Sequence, residues 1–244
     1  MRYFKKYLAL LALLIASSQL DASSTLITVV KSKKAAADET RKVSGFTGIS
    51  SSGSYNVIIT MGTTESLRLE GDADHISEIE TVVESGTLKI RNNKKTGSWT
   101  SRTGKINIYI TAKSLKNLTL SGSGDMNVKG LVKSTDISTT LGGSGNISLT
   151  LEATNYAATI SGSGEIKASG KTENARINVS GSGDFEGNGL RTNVTSAKVS
   201  GSGNIFINAD KALEAAMSGS GNIRYSGSAA VKASKSGSGR ISKL

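Results

Sequence analysis

The sequence predicts an all-β protein: a right-handed, parallel β-helix-like solenoid with coils of about 18–21 residues. Three observations carry this. A Ser-Gly-Ser-Gly tetrad begins at Ser121 and returns at Gly142, Ser161, Ser180, Ser200, Ser218 and Ser236, with Gly142-Gly143-Ser144-Gly145 as its one variant. Residues around the tetrad alternate with a period of two: Leu118, Leu120, Met126 and Val128 share one face of an extended chain, and Ser121, Ser123, Asp125 and Asn127 the other. A unit this short has no room for strand, helix and strand, and one unit cannot bury its own apolar face, so units must stack.

The columns of the stack follow from the repeat. One place before each tetrad stand Leu120, Leu141, Ile160, Val179, Val199 and Met217, then Lys235, which breaks the pattern in the last copy. Two places after it stand Met126, Ile147, Ile166, Phe185, Ile205, Ile223 and Ile241. Parity puts the tetrad glycines on the core side and the serines outside. The expectation is that these glycines mark a close approach of the solenoid walls, or a bend of the strand. A second small residue (Gly130, Gly170, Gly189, Ala209, Gly227) reads as the next turn. At a strand spacing of about 4.8 Å, like residues then lie above one another. The rival fold, an antiparallel barrel or sandwich, wants turns every 8–12 residues or so, about twice as often.

Upstream, residues 40–120 alternate without the tetrad: Tyr55, Val57 and Ile59, then Leu88 and Ile90, then Ile106, Ile108 and Ile110. Ser52-Gly53-Ser54 is a degenerate copy. These residues read as irregular early coils of one domain running from 40 to 244. Residues 74–85 suit either a short helix or another strand, and residues 25–39 read as a flexible leader. Residues 1–24 have the three parts of a secretory signal peptide: Arg2, Lys5 and Lys6, an apolar run from Tyr7 to Ala16, and a small-residue exit. The run is short for a bilayer, so an exported chain with no transmembrane segment after processing is expected.

Composition removes much chemistry. The chain has no Cys, no Pro and a single His, His75. Thiolate nucleophiles, disulfides, a lipid-bearing cysteine and multi-His zinc centres are excluded, and no cofactor or metal is expected. The formal charge of +11 favours acidic partners. Export argues against nucleic acid, which leaves envelope or extracellular glycans, lipid headgroups or proteins. Alternatively, the lysines only keep a flat sheet surface soluble.

The ordered series Phe46-Thr47-Gly48-Ile49, Ser52 to Val57, Leu67-Arg68-Leu69-Glu70-Gly71-Asp72, Gly86 to Ile90 and the serial tetrads resembles the auto-transporter adhesin head GIN domain family over roughly residues 40–244. The resemblance implies an exported, surface or periplasmic protein with a β-helix-like fold and a role in adhesion. It carries no catalytic residues.

Two candidate sites stand out. Asp125, Asn146, Glu165, Asp184, Asn204 and Asn222 each follow a tetrad and form one outward column. They read as turn chemistry, or as a ligand face repeating oxygen atoms along the stack. A calcium-binding nonapeptide roll does not match, because its sixth place is Ile147 here and the period is double. Within that column Glu165 and Asp184 sit on adjacent coils, at a spacing of about 5 Å that a retaining glycosidase would use. Their small and lysine neighbours offer no sugar platform, so the protein is read as a non-enzyme. The second candidate is the basic stretch Lys94, Lys95, Trp99 and Arg102, either an anionic-ligand loop or a solvated turn. At the C-terminal end, Lys232, Lys235, Arg240 and Lys243 look like charge blocking of an edge strand, and end-to-end self-association is an alternative role.

Overall fold

The computed structural model describes residues 36–93 and 105–244. The signal peptide 1–24, most of the expected leader and the basic stretch Lys94, Lys95, Trp99 and Arg102 lie outside the described residues. Of the described residues 71% are strand and 3% helix, arranged as a β-solenoid of about seven turns, which is the all-β architecture the repeat predicts.

The first half contains β1 (Ala36–Arg41), β2 (Gly48–Ser52), β3 (Asn56–Met61), β4 (Ser66–Asp72), the one-turn helix α1 (Ala73–Ser77), β5 (Ile79–Glu84), β6 (Thr87–Asn92), β7 (Asn107–Ala112) and β8 (Asn117–Leu120). Then come the long strands β9 (Asp125–Leu141), β10 (Asn146–Ile160), β11 (Glu165–Val179), β12 (Asp184–Val199) and β13 (Asn204–Ser218). The chain closes with β14 (Asn222–Ser226), β15 (Ala230–Ser236) and β16 (Arg240–Lys243). Residues 74–85 hold both a helix and a strand. Ala36 to Glu39, expected as leader, pair with β4.

From β9 onward every pairing is parallel and each coil lies on the next. Met126, Ile147, Ile166, Phe185, Ile205, Ile223 and Ile241 are register partners in succession. All but the last are buried. The long strands bend within themselves, and in β9, β10 and β11 the inward parity shifts there: in β10 Ile147, Leu149 and Leu151 are buried, then Tyr156, Ala158 and Ile160, whereas β13 keeps one parity from Ile205 to Met217. Small residues at the bend allow this, and Gly170 has φ +107°, a backbone region closed to most side chains. The core also holds polar groups that are satisfied locally. Thr139 Oγ1 meets Tyr156 OH at 2.9 Å, and Thr172 Oγ1 donates to Thr154 O at 3.2 Å.

The tetrad is the tight corner between one coil's last leg and the next coil's first. The second glycine of each tetrad is buried and the serines are exposed. The reason for glycine differs from the expected approach of opposite walls. A Cβ on Gly143 would stand 2.0 Å from Gly122 O, and one on Gly164 would stand 1.8 Å from Gly145 O. The obstacle is the carbonyl of the preceding coil, along the stack. That carbonyl is already engaged: Gly122 O accepts from the N–H groups of Ser144 and Gly145, both at 3.2 Å. Gly142, at the serine position, has no atom nearer than 3.9 Å to its Cβ direction.

The first half stacks out of chain order. The corner of β2 and β3, with Gly53 beneath Gly122, lies against β8 and β9, while β6 and β7 pack on its other side. β4 and β1 then continue one sheet antiparallel beyond β7, and β5 continues the other antiparallel beyond β6. Arg41 ties this end together, donating to Ile76 O at 2.9 Å, to Ile79 O at 2.5 Å and to Thr81 Oγ1 at 3.1 Å. Asp72 caps α1 through Asp74 N.

Candidate functional site

The residues that follow the tetrads form the predicted column. Asp125, Asn146, Glu165 and Asp184 are register partners in turn, as are Asn204 and Asn222. Asn56 of β3 extends the column at its other end, beside Asp125. The side chains bond along the stack. Asn146 Nδ2 donates to Asp125 Oδ1 at 2.8 Å, and Asn204 Nδ2 to Asp184 Oδ1 at 2.9 Å. Asn222 Nδ2 donates to Asn204 Oδ1, also at 2.9 Å. Backbone N–H groups of Glu165, Asn204 and Asn222 add bonds to the oxygen one coil back. The column is therefore an amide ladder whose oxygens largely accept from the coil that follows.

Glu165 and Asp184 do come together, and Glu186 joins them. Burial, followed by the charges of Glu165 and Asp184, raises the Glu186 carboxyl above the usual range. Asp184 Oδ1 is held by both donors of Asn204, the backbone N–H and the side-chain Nδ2. This fixes the carboxylate as part of the ladder.

Next to the ladder run the tetrad serines. Their side chains are exposed from Ser52 and Ser54 to Ser236 and Ser238. Among the described tetrad serines, Ser180 bonds through its hydroxyl to protein, at Ile160 O. The others present hydroxyls outward at one spacing.

Two features went unnoticed in the sequence. A second amide ladder stands at the start of the last leg: Asn155 Nδ2 donates to Asp136 Oδ1 at 2.8 Å, and Asn174 Nδ2 to Asn155 Oδ1 at 3.0 Å. It borders a shallow groove of about 820 Å³ that also takes in Tyr156, Arg176 and the exposed Val194. At the neighbouring bend, Lys133, Glu152 and Lys171 form a charge ladder, with Glu152 3.6 Å from Lys133 and 3.1 Å from Lys171. The hydrogen bond from Lys171 holds the Glu152 carboxyl below its usual range. The recurrence of Asp136, Asn155 and Asn174 at the coil period was the signal that could have found the second ladder.

Fold and rows define the class: a repeat protein that offers long, periodic outer faces. The chain belongs to the family described as "Putative auto-transporter adhesin, head GIN domain", whose pattern matches residues 45–229. Among solved structures, a "putative adhesin" from Bacteroides fragilis is similar at 25% identity, with a TM-score of 0.79, over 86% of this chain and 98% of that one. A "putative lipid binding protein" from Parabacteroides distasonis is similar at 25% identity, with a TM-score of 0.72, over 87% and 98%. A "putative adhesin" from Parabacteroides merdae shares the fold at 19% identity, with a TM-score of 0.69, over 87% and 97%. Among curated proteins none matches. The family and two of these structures carry the adhesin description, consistent with a cell-surface protein. Among the described residues, no helix is long and apolar enough to cross a membrane.

Proposed function

We propose that the protein is an exported, non-catalytic surface or envelope adhesin that binds glycans or other macromolecules through its outer rows. The observation that supports this reading is the repetition of outward serine hydroxyls, interrupted at Gly142, beside the amide ladder of Asp125, Asn146, Asp184, Asn204 and Asn222. A linear polymer laid along the stack would meet the same donors and acceptors in coil after coil, about 4.8 Å apart. Each contact is weak, and their number supplies the avidity. The ladder role of Asp184 supports the absence of glycosidase chemistry, because its carboxylate is tied into the stack. The basic stretch Lys94, Lys95, Trp99 and Arg102 would add an anion-binding contact.

The test is a binding screen of the purified protein on glycan arrays, matrix proteins and lipid vesicles, with reducing-end release measured in parallel. The expected result is retention on a polymeric ligand and no new reducing ends. Release of reducing ends that E165Q/D184N abolishes would overturn the non-catalytic reading. Failure to bind any polymer would overturn the adhesin reading.

A further inference from the structure

On the outer face that carries the amide ladder, a second row runs two residues further along each strand. Asn127, Ser148, Lys167, Glu186, Phe206 and Arg224 are register partners in succession along it. Phe206 is the apolar exception. It is half-buried and stands between the buried Ile205 and Ile207, so its ring points away from the core. Glu186 lies beside it on one side and Arg224 on the other. The column of Glu165 and Asp184 offers no sugar platform by itself; the next row does.

Two rings on this face meet a guanidinium, and they differ. The Arg68 Cζ lies 4.2 Å from the centre of the Tyr109 ring, and Asp38 at 2.7 Å and Glu70 at 3.4 Å hold Arg68 there. That ring is covered by a group locked in place. The Arg224 Cζ lies 5.6 Å from the centre of the Phe206 ring, and Arg224 is exposed with no acidic partner among the described residues. No ion pair anchors it, so it can yield the ring face to a ligand and turn its donors on that ligand.

Free polar groups neighbour the ring. Asn222 Nδ2 donates to Asn204 Oδ1 at 2.9 Å, whereas Asn222 Oδ1 accepts from no group among the described residues. Glu186 accepts from Asn188 Nδ2 at 3.3 Å through Oε2 and keeps Oε1 free. An aromatic face with donors and acceptors at its margin suits a sugar ring, which has an apolar C–H face and a hydroxyl rim. Charge narrows the class. From β9 to β14 this face carries Lys129, Lys167 and Arg224 against Asp125, Glu165, Asp184 and Glu186, three cations against four acids, in a chain of formal charge +11. A polyanion would meet the acids beside the ring and a polycation would meet Arg224, whereas an uncharged polyhydroxylated chain meets neither penalty.

We propose that this face binds a neutral polysaccharide, one pyranose ring stacking on Phe206 while Arg224, Glu186 and the Asn222 amide take its hydroxyls. The inference rests on the adhesin reading above and narrows it to one class of polymer and one face. The polymer would run along the stack from Phe206 over Lys167 and Ser148, meeting one coil about every 4.8 Å.

The test is affinity electrophoresis of the purified protein through gels holding a neutral glucan, mannan or galactan, with polygalacturonate as an anionic arm and with matrix proteins and lipid vesicles assayed beside them. The expected result is retardation by a neutral polysaccharide that salt leaves nearly unchanged. F206L keeps an apolar side chain without a ring face and should bind about tenfold more weakly, with its strand circular dichroism intact. F206W should bind at least as well as the parent, and Tyr109→Leu should leave retardation unchanged. Retardation of F206L equal to that of the parent, or binding to polygalacturonate alone, would overturn this inference and leave the adhesin reading standing. Binding to matrix protein or vesicles and to no polysaccharide would do the same. Binding to nothing in the panel would overturn both.

Discussion

The regular coils from Asp125 to Ser218 and the irregular end from Ala36 to Asn92 are held together by different means. In the regular coils, backbone lies on backbone so closely at each corner that the preceding carbonyl fills the space of a Cβ. Core columns are uniform, and each residue's neighbour is its own counterpart one coil away. At the irregular end, strands run both ways, and single side chains do the joining: Arg41 across β1, α1 and β5, and Tyr55 OH against Asn92 Oδ1. Repetition makes stability a property shared by many similar contacts, whereas an end that must stop the repeat depends on a few particular ones.

The largest expected effect within this contrast is at Phe185, fully buried in the regular stack with its ring 6.3 Å from that of Tyr156. Phe185→Ala should cost about 3–5 kcal/mol, read by thermal or denaturant unfolding. A loss well below that range would mean the coils are less tightly packed than described.

Next comes alkali, which should act on the irregular end. Burial, then the charge of Glu78, pushes the Tyr55 phenol up to about 12. A folded-state value above the unfolded one gives stability that is complete below about pH 10 and lost as pH rises toward 12, about 2 kcal/mol in all. Comparing denaturant midpoints of the parent and Tyr55→Phe between pH 9 and 11.5 or so checks this. The parent should lose stability over that window and the variant should lose less.

Arg41→Ala removes four hydrogen bonds at the same end, three of them to α1 and β5 and one to the exposed Glu39, and should cost about 2 kcal/mol. Its effect should be local. Hydrogen exchange should quicken in β1, α1 and β5 and stay unchanged in β10 to β12. Uniform quickening through the whole solenoid would show the two regions to be one cooperative unit.

The same contrast explains what could be read from the sequence. The stacked coils were legible because the tetrad and its apolar flanks recur at the distance that stacking requires. The alternation about Ile160 and Ile166 declared which side chains point inward. Period two cannot show that the corner turns the glycine Cβ direction toward the coil below, so the glycines were placed correctly for a different reason. The irregular end was legible only as strands. Nothing in Ser52-Gly53-Ser54 says that its coil sits between β6–β7 and β8–β9, because that order depends on pairings far apart in the chain. For the candidate site, the column from Asp125 to Asn222 was visible by position. Its engagement as a ladder was not, because side-chain bonding along the stack requires the register. The second ladder at Asp136, Asn155 and Asn174 was periodic too, but it begins where a bend displaces the parity.

The most direct test of the account is a pair of substitutions at adjacent glycines, Gly142→Ala and Gly143→Ala, compared by melting temperature. Neither glycine has a positive φ, so the same methyl group probes only the space around it. At Gly142 the nearest atom is 3.9 Å away, whereas at Gly143 the Gly122 carbonyl oxygen is 2.0 Å away. The account predicts that Gly142→Ala leaves the transition within about 0.5 kcal/mol of the parent, and that Gly143→Ala lowers stability by about 3 kcal/mol or more. Equal melting temperatures for the two variants would contradict it.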